Sequence, residues 1–99
     1  MASTRWASSA DKHGVDRSDT LHAMRNARMI VRRFDRPRVE NAPHADLFIG
    51  PTRDGLVVLE VFAHLNTDKQ DVLIFHVMPV RRSTIERARQ VIEERRNRK

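Results

Sequence analysis

Two alternating segments constrain the fold more than anything else in the chain: Leu56 to Leu65 and Val72 to Met78, separated by the polar turn Asn66 to Gln70 and by Asp71. Successive side chains of a strand project to opposite faces. In the first segment Val58, Glu60, Phe62 and His64 therefore share one face, and Val57, Leu59, Val61 and Ala63 the other. In the second, Leu73, Phe75 and Val77 oppose Val72, Ile74, His76 and Met78. Two such segments joined by a short polar turn read as an antiparallel hairpin. Pro79 cannot donate to a ladder and ends it.

The same reading upstream gives a first strand at Met29 to Phe34, rich in β-branched and aromatic residues, and a second at Asp46 to Gly50. The polar loop Asp35 to Ala45 joins them and is the expected mobile segment. A turn at Pro51 to Gly55, with its Asp54-Gly55 pair, leads into the hairpin. Before these strands, Thr4 to His13 reads as a short helix with Thr4 as N-cap and Gly14 at the left-handed position that ends it. Asp16 reads as the N-cap of a second helix, with Asp19 in its first turn and Leu21, Met24 and Ala27 as its apolar stripe. Ser83-Thr84-Ile85-Glu86 has the form of a capping box, so a closing helix is expected there, with Ile85, Ala88, Val91 and Ile92 on one face. The expected fold is α+β: two N-terminal helices, a four-stranded antiparallel β-meander and a C-terminal helix. At 99 residues this is one domain, 1–99, with 1–3 and 94–99 expected to fray.

The charge says what such a domain would meet. Nineteen basic residues against 13 acidic ones give a formal charge of +6, which attracts phosphate polymers, anionic surfaces or an acidic protein. Lys12, Lys69 and Lys99 are the lysines, so most of the positive charge is guanidinium, which grips phosphate in a bidentate fork and keeps its proton. GC-rich coding would also produce this bias. The absence of cysteine removes disulfides, thiolate zinc sites and a cysteine nucleophile, and fits a reducing compartment. No apolar run approaches the roughly 20 residues that cross a bilayer, and the N-terminus lacks a signal-type apolar core. The expectation is a soluble, cytoplasmic protein that does not engage membrane. Gly-rich phosphate loops, Ser-His-Asp patterns and CxxC pairs are absent, and no cofactor is expected.

The candidate chemistry lies on the hairpin. With the turn centred on Asp68, Glu60 stands opposite His76, where a carboxylate can orient an imidazole for acid-base work on an RNA 2′-hydroxyl. A structural pair covering a sheet edge is the alternative, and a one-residue register shift would separate the two. A metal set of His64, His76 and Glu60 is conceivable but has no supporting motif. Arg81 and Arg82 follow the strand at the start of a helix, which favours a bound phosphate. Lys12 and His13, before Gly14, place an ammonium and an imidazole at a helix C-terminus, for substrate or for capping. Arg32, Arg33, Arg36 and Arg38 form a basic strand-to-loop patch able to follow an RNA backbone or to keep an edge soluble. Trp6 reads as a core anchor rather than a base-stacking platform.

Lys12-His13-Gly14-Val15, Ile49-Gly50, Leu56 to Val61 and Ile74-Phe75-His76-Val77-Met78-Pro79-Val80-Arg81-Arg82 occur in the order that resembles BrnT-type toxins of bacterial type II toxin-antitoxin systems, over about Trp6 to Arg89. The resemblance implies a RelE-like fold and a metal-independent endoribonuclease that blocks translation and growth. An acidic antitoxin would be its neutralising partner, and the assembly a homodimer or a toxin-antitoxin hetero-oligomer. By position it carries over Lys12 and His13 as a basic motif and Arg81 with Arg82 as the strand-end motif. The different-class alternative is a non-catalytic module that binds nucleic acid or protein through the same basic face.

Overall fold

The computed structural model describes residues 3–35, 44–66 and 69–98. In chain order the elements are β1 (Ser3–Trp6), a 3-10 turn (Ser8–Asp11), α1 (Arg17–Arg25), β2 (Met29–Asp35), β3 (Ala45–Pro51), β4 (Val58–Asn66), β5 (Asp71–Pro79) and α2 (Arg82–Arg96). The five strands form one sheet in the order β1-β5-β4-β3-β2. The β2 to β5 run is antiparallel throughout, whereas β1 pairs β5 in parallel.

This corrects the expected architecture. The first segment is not a helix: Ser3 to Trp6 adds a fifth strand to the sheet and only Ser8–Asp11 is helical, as a single tight turn. Without β1, the hairpin end of β5 would be an open edge with unpaired backbone groups. Thr4 and Trp6 have strand character, and the Ser3 hydroxyl and the Arg5 guanidinium, the latter at 3.3 Å, both bond the Asp71 carboxylate. That pairing joins residues about seventy positions apart, so local propensity does not reveal it. Among the described residues the fold is α+β, with two α-helices and a five-stranded mixed sheet.

The helices cover opposite faces. On one side α1 and the 3-10 turn enclose Phe48, Leu59, Val61, Ala63, Ile74 and Val77, with Trp6 partly buried against them. Asp16 caps α1 through Ser18 N–H at 2.7 Å, as its position suggested. Gly50 lets α1 lie directly on β3, because a Cβ there would fall 2.1 Å from the Ala23 carbonyl oxygen. On the other side α2 lays Ala88, Ile85, Val91 and Ile92 over Val31, Leu47, Ile49 and Phe62. Burial on both faces explains why β3 is buried along almost its whole length.

The hairpin departs from strict alternation at one point. Phe62 pairs with His76, but Ala63 pairs with Ile74, leaving Phe75 as an extra, bulged residue. Ile74 and Val77 therefore both face α1, while Phe75 and His76 both reach Phe62 on the α2 side. The expected register is corrected too: Glu60 stands opposite Met78, not His76. The offset is two residues, so both side chains keep the same face. β4 begins at Val58, with Leu56 and Val57 exposed in the preceding turn. Among the described residues no helix is long and apolar enough to cross a membrane.

Candidate active site

Glu60 is the centre of the site. It is charged and wholly buried on β4, a combination that requires partners. Oε2 accepts from His76 Nε2 at 2.9 Å and from Arg81 Nη2 at 2.7 Å. Oε1 accepts from the Arg81 backbone N–H at 2.9 Å and from Arg81 Nε at 3.2 Å. The Thr84 hydroxyl adds a further hydrogen bond. Burial pushes the Glu60 carboxyl up, but the donors from His76, Arg81 and Thr84 outweigh it and hold the group down at about 2. The same ion pair raises Arg81 further. Glu60 and His76 are diagonal neighbours across the two strands, a separation that long side chains span.

The site also overturns two details of the sequence reading. The capping box does not form: Arg81 is the N-cap of α2 and caps without its own side chain. Glu60 from β4 takes that role, accepting the first free N–H of the helix. The anion position at the start of α2, expected to attract phosphate, is therefore filled by the protein's own carboxylate. Arg81 directs Nε and Nη2 inward to Glu60 while half of its side chain stays exposed, leaving its other N–H donors toward solvent. Arg82 is almost fully exposed and pairs only loosely with Glu86, at 3.5 Å.

His76 is one-quarter exposed. An ionised carboxylate can only accept, so Nε2 carries the proton and the lone pair of the neutral ring lies on Nδ1. Among the described residues Nδ1 makes no hydrogen bond. Phe62 meets the ring edge-on at 5.0 Å between centroids, and His13 approaches at 5.8 Å in the same T-shaped manner. β1 covers β5 only as far as Ile74. Beyond it the 3-10 turn crosses the strand, with the Ser9 hydroxyl donating to the Phe75 carbonyl at 2.6 Å. That crossing brings His13 to the same edge of the sheet. Gly14, at φ 70°, provides the left-handed turn that follows.

Thus Glu60, His76, Arg81 and His13 converge, with Lys12 and Arg82 exposed beside them in sequence. Lys12 caps the 3-10 turn, so the argument from an α-helix C-terminus fails for it and for His13. Arg32 and Arg33 lie elsewhere, at the bulge of β2, where Arg32 Nε meets the buried Asp46 at 2.9 Å. Arg36 and Arg38 lie outside the described residues, as does most of the loop expected to be mobile. His64 stacks on Phe75 at 4.5 Å and its Nδ1 lies 3.2 Å from the His44 carbonyl oxygen, away from any metal set with His76. Among the described residues no three His, Cys, Asp or Glu side chains group as metal ligands. Trp6 packs against the core with the Arg17 guanidinium 4.8 Å over its ring.

Sequence reasoning missed Thr84, Asp46 and the arginines at 87, 95 and 98, on α2 and just past its end. Arg87, Glu94, Arg95 and Arg98 recur at offsets of seven, eight and eleven, which a helix gathers on one face. That spacing was the available signal. Comparison with family models, with curated proteins and with solved structures finds no match, so the likeness to BrnT-type toxins rests on the sequence segments alone.

Proposed function

We propose that the chain is an endoribonuclease that cuts RNA by transesterification without a metal. One observation carries the reading: a buried, ionised Glu60 orients a part-exposed His76 whose Nδ1 is unengaged among the described residues, and a second imidazole, His13, stands beside it. Cleavage of RNA at a 2′-hydroxyl needs a base, an acid and a cation, and these residues supply the three types. His76 Nδ1 takes the proton of the 2′-hydroxyl as that oxygen attacks the adjacent phosphorus. The phosphorus-to-5′-oxygen bond breaks, and the leaving oxygen takes its proton from protonated His13. The products are a 2′,3′-cyclic phosphate and a 5′-hydroxyl. The outward N–H groups of Arg81, with Lys12 and Arg82 nearby, offset charge on the phosphate oxygens.

The reading is tested with a labelled oligoribonucleotide in the presence of EDTA. Wild-type protein cuts it and leaves the matching deoxyribonucleotide intact. His76→Ala and His13→Ala each lower the rate about 100-fold or more, the usual size of a lost acid or base, with circular dichroism unchanged. Equal cleavage by His76→Ala sinks the mechanism. The wider proposal, a growth-arresting cytoplasmic toxin neutralised by an acidic antitoxin, is tested by inducing the chain in cells with and without the neighbouring gene and following growth and RNA integrity. One observation favours the alternative of a non-catalytic binding module: Arg81 engages much of its fork on Glu60, as a purely structural tie would. Salt-sensitive RNA binding with no product formation selects that alternative.

A further inference from the structure

Away from Glu60, the bulge of β2 is built against α2 in an unusual way. Arg33 sits at φ 54°, in the left-handed region that side chains with a Cβ rarely adopt. Two neighbours hold it there. Buried Asp46 accepts the Arg33 backbone N–H at 2.6 Å and Arg32 Nε at 2.9 Å. From α2, the Arg95 guanidinium donates to the carbonyls of Arg32 at 2.6 Å and Arg33 at 2.9 Å. Strain held in place by the surrounding structure, here by a buried acid and a bidentate arginine, clusters at binding and active sites.

Between this bulge, α2 and the residues just after it lies a cleft of about 900 Å³, lined by Arg32, Arg33, Arg87, Arg95 and Arg98 with Glu94. Its size falls within the roughly 300–1,000 Å³ of ligand sites. Arg87 lies 5.3 Å over the buried Phe34 ring, which fixes its guanidinium plane at the wall. The side chains of Arg33 and Arg98 make no ion pair among the described residues. The cations lining the cleft are arginines, whose forks match phosphate oxygens.

We propose that this cleft is a second RNA site, which holds backbone phosphates of the strand whose cleavage is assigned above to His76. It rests on that reading for the identity of the strand. Continuity favours RNA over an acidic peptide: α2 begins at the Glu60–Arg81 centre and ends in the cleft. Arg81 and Arg95 are about 21 Å apart along it at 1.5 Å per residue. Single-stranded sites of roughly 4–16 nucleotides cover such a span, whereas a dinucleotide at His76 does not reach it.

The test uses the full chain with Arg33→Gly, which keeps the positive φ, and Arg98→Ala, singly and together. Two RNA substrates are compared, a dinucleotide and a 12-nucleotide strand. The double variant should cut the dinucleotide like wild type and show a KM for the long strand raised about tenfold, with kcat unchanged. Direct binding of the long strand should lose about 0.7 of salt slope per arginine removed. An unchanged slope and unchanged KM overturn the proposal. So does binding of a polyglutamate peptide that depends on Arg33 and Arg98 while RNA binding does not. Should wild type cut neither the dinucleotide nor the 12-nucleotide strand, the ribonuclease reading falls, and the salt slope still decides whether the cleft holds RNA.

Discussion

Replacing Glu60 with glutamine removes one negative charge from the centre of the protein and scarcely alters its shape. Whichever way the amide faces, its NH2 meets a donor: the Arg81 backbone N–H and Nε on one side, Arg81 Nη2 and His76 Nε2 on the other. A carboxyl held at about 2 instead of 4.5 contributes about 3 kcal/mol to stability at neutral pH. Breaking a buried pair by removing one partner costs about 3–5 kcal/mol. Arg81 and His76 are partly exposed and water can rehydrate them, so the lower end applies. A loss of about 3 kcal/mol lowers Tm by about 12–24 °C in a domain of this size. The pH dependence gives the sharper test. Because the folded-state value is depressed, the stabilisation is present above the unfolded value and is lost as pH falls toward 2. Between pH 5 and pH 3 the gap between wild type and E60Q, measured by urea denaturation followed with circular dichroism, should narrow by about 2 kcal/mol. A gap that stays constant over that range, or a variant as stable as wild type at pH 7, refutes the argument that Glu60 is the ionised staple of β4, β5 and α2.

Two further perturbations follow from the geometry. Gly50→Ala pushes a Cβ to 2.1 Å from the Ala23 carbonyl and must lift α1 from β3, so thermal melting should show a loss of about 3 kcal/mol or more; a normal melting temperature would mean that α1 does not rest there. Arg33→Gly relieves the left-handed strain and should raise the unfolding free energy from urea denaturation by about 0.5–1 kcal/mol while weakening binding of the long RNA strand. A loss of stability in this variant would show that Arg33 is not strained.

The parts of this protein legible from sequence are those whose physics is local. Period-two alternation placed Glu60 with Phe62 and His76 with Met78, and both pairs share the α2 side as a two-residue offset requires. Asp16, a short polar side chain ahead of an amphipathic stretch, marked the start of α1. Pro79 marked the end of β5. Composition gave the cationic character.

What only the tertiary structure decided depends on partners remote in the chain. Ser3 to Trp6 became a strand because β5 offered an edge with free backbone groups, and no window of local sequence contains both. The bulge at Phe75 set the register that local alternation left open, and with it the diagonal contact of Glu60 and His76. The start of α2 was capped from β4 rather than from Ser83, since a buried carboxylate needs donors and a helix terminus supplies them. The meeting of His13 with His76, and of Arg33 with Arg95 and Arg98, likewise arises from packing. The sequence determined which side chains could do chemistry and on which face of a strand they stood. Their convergence was decided by long-range pairing, because hydrogen bonds and buried charges are satisfied by whichever groups the fold brings within reach.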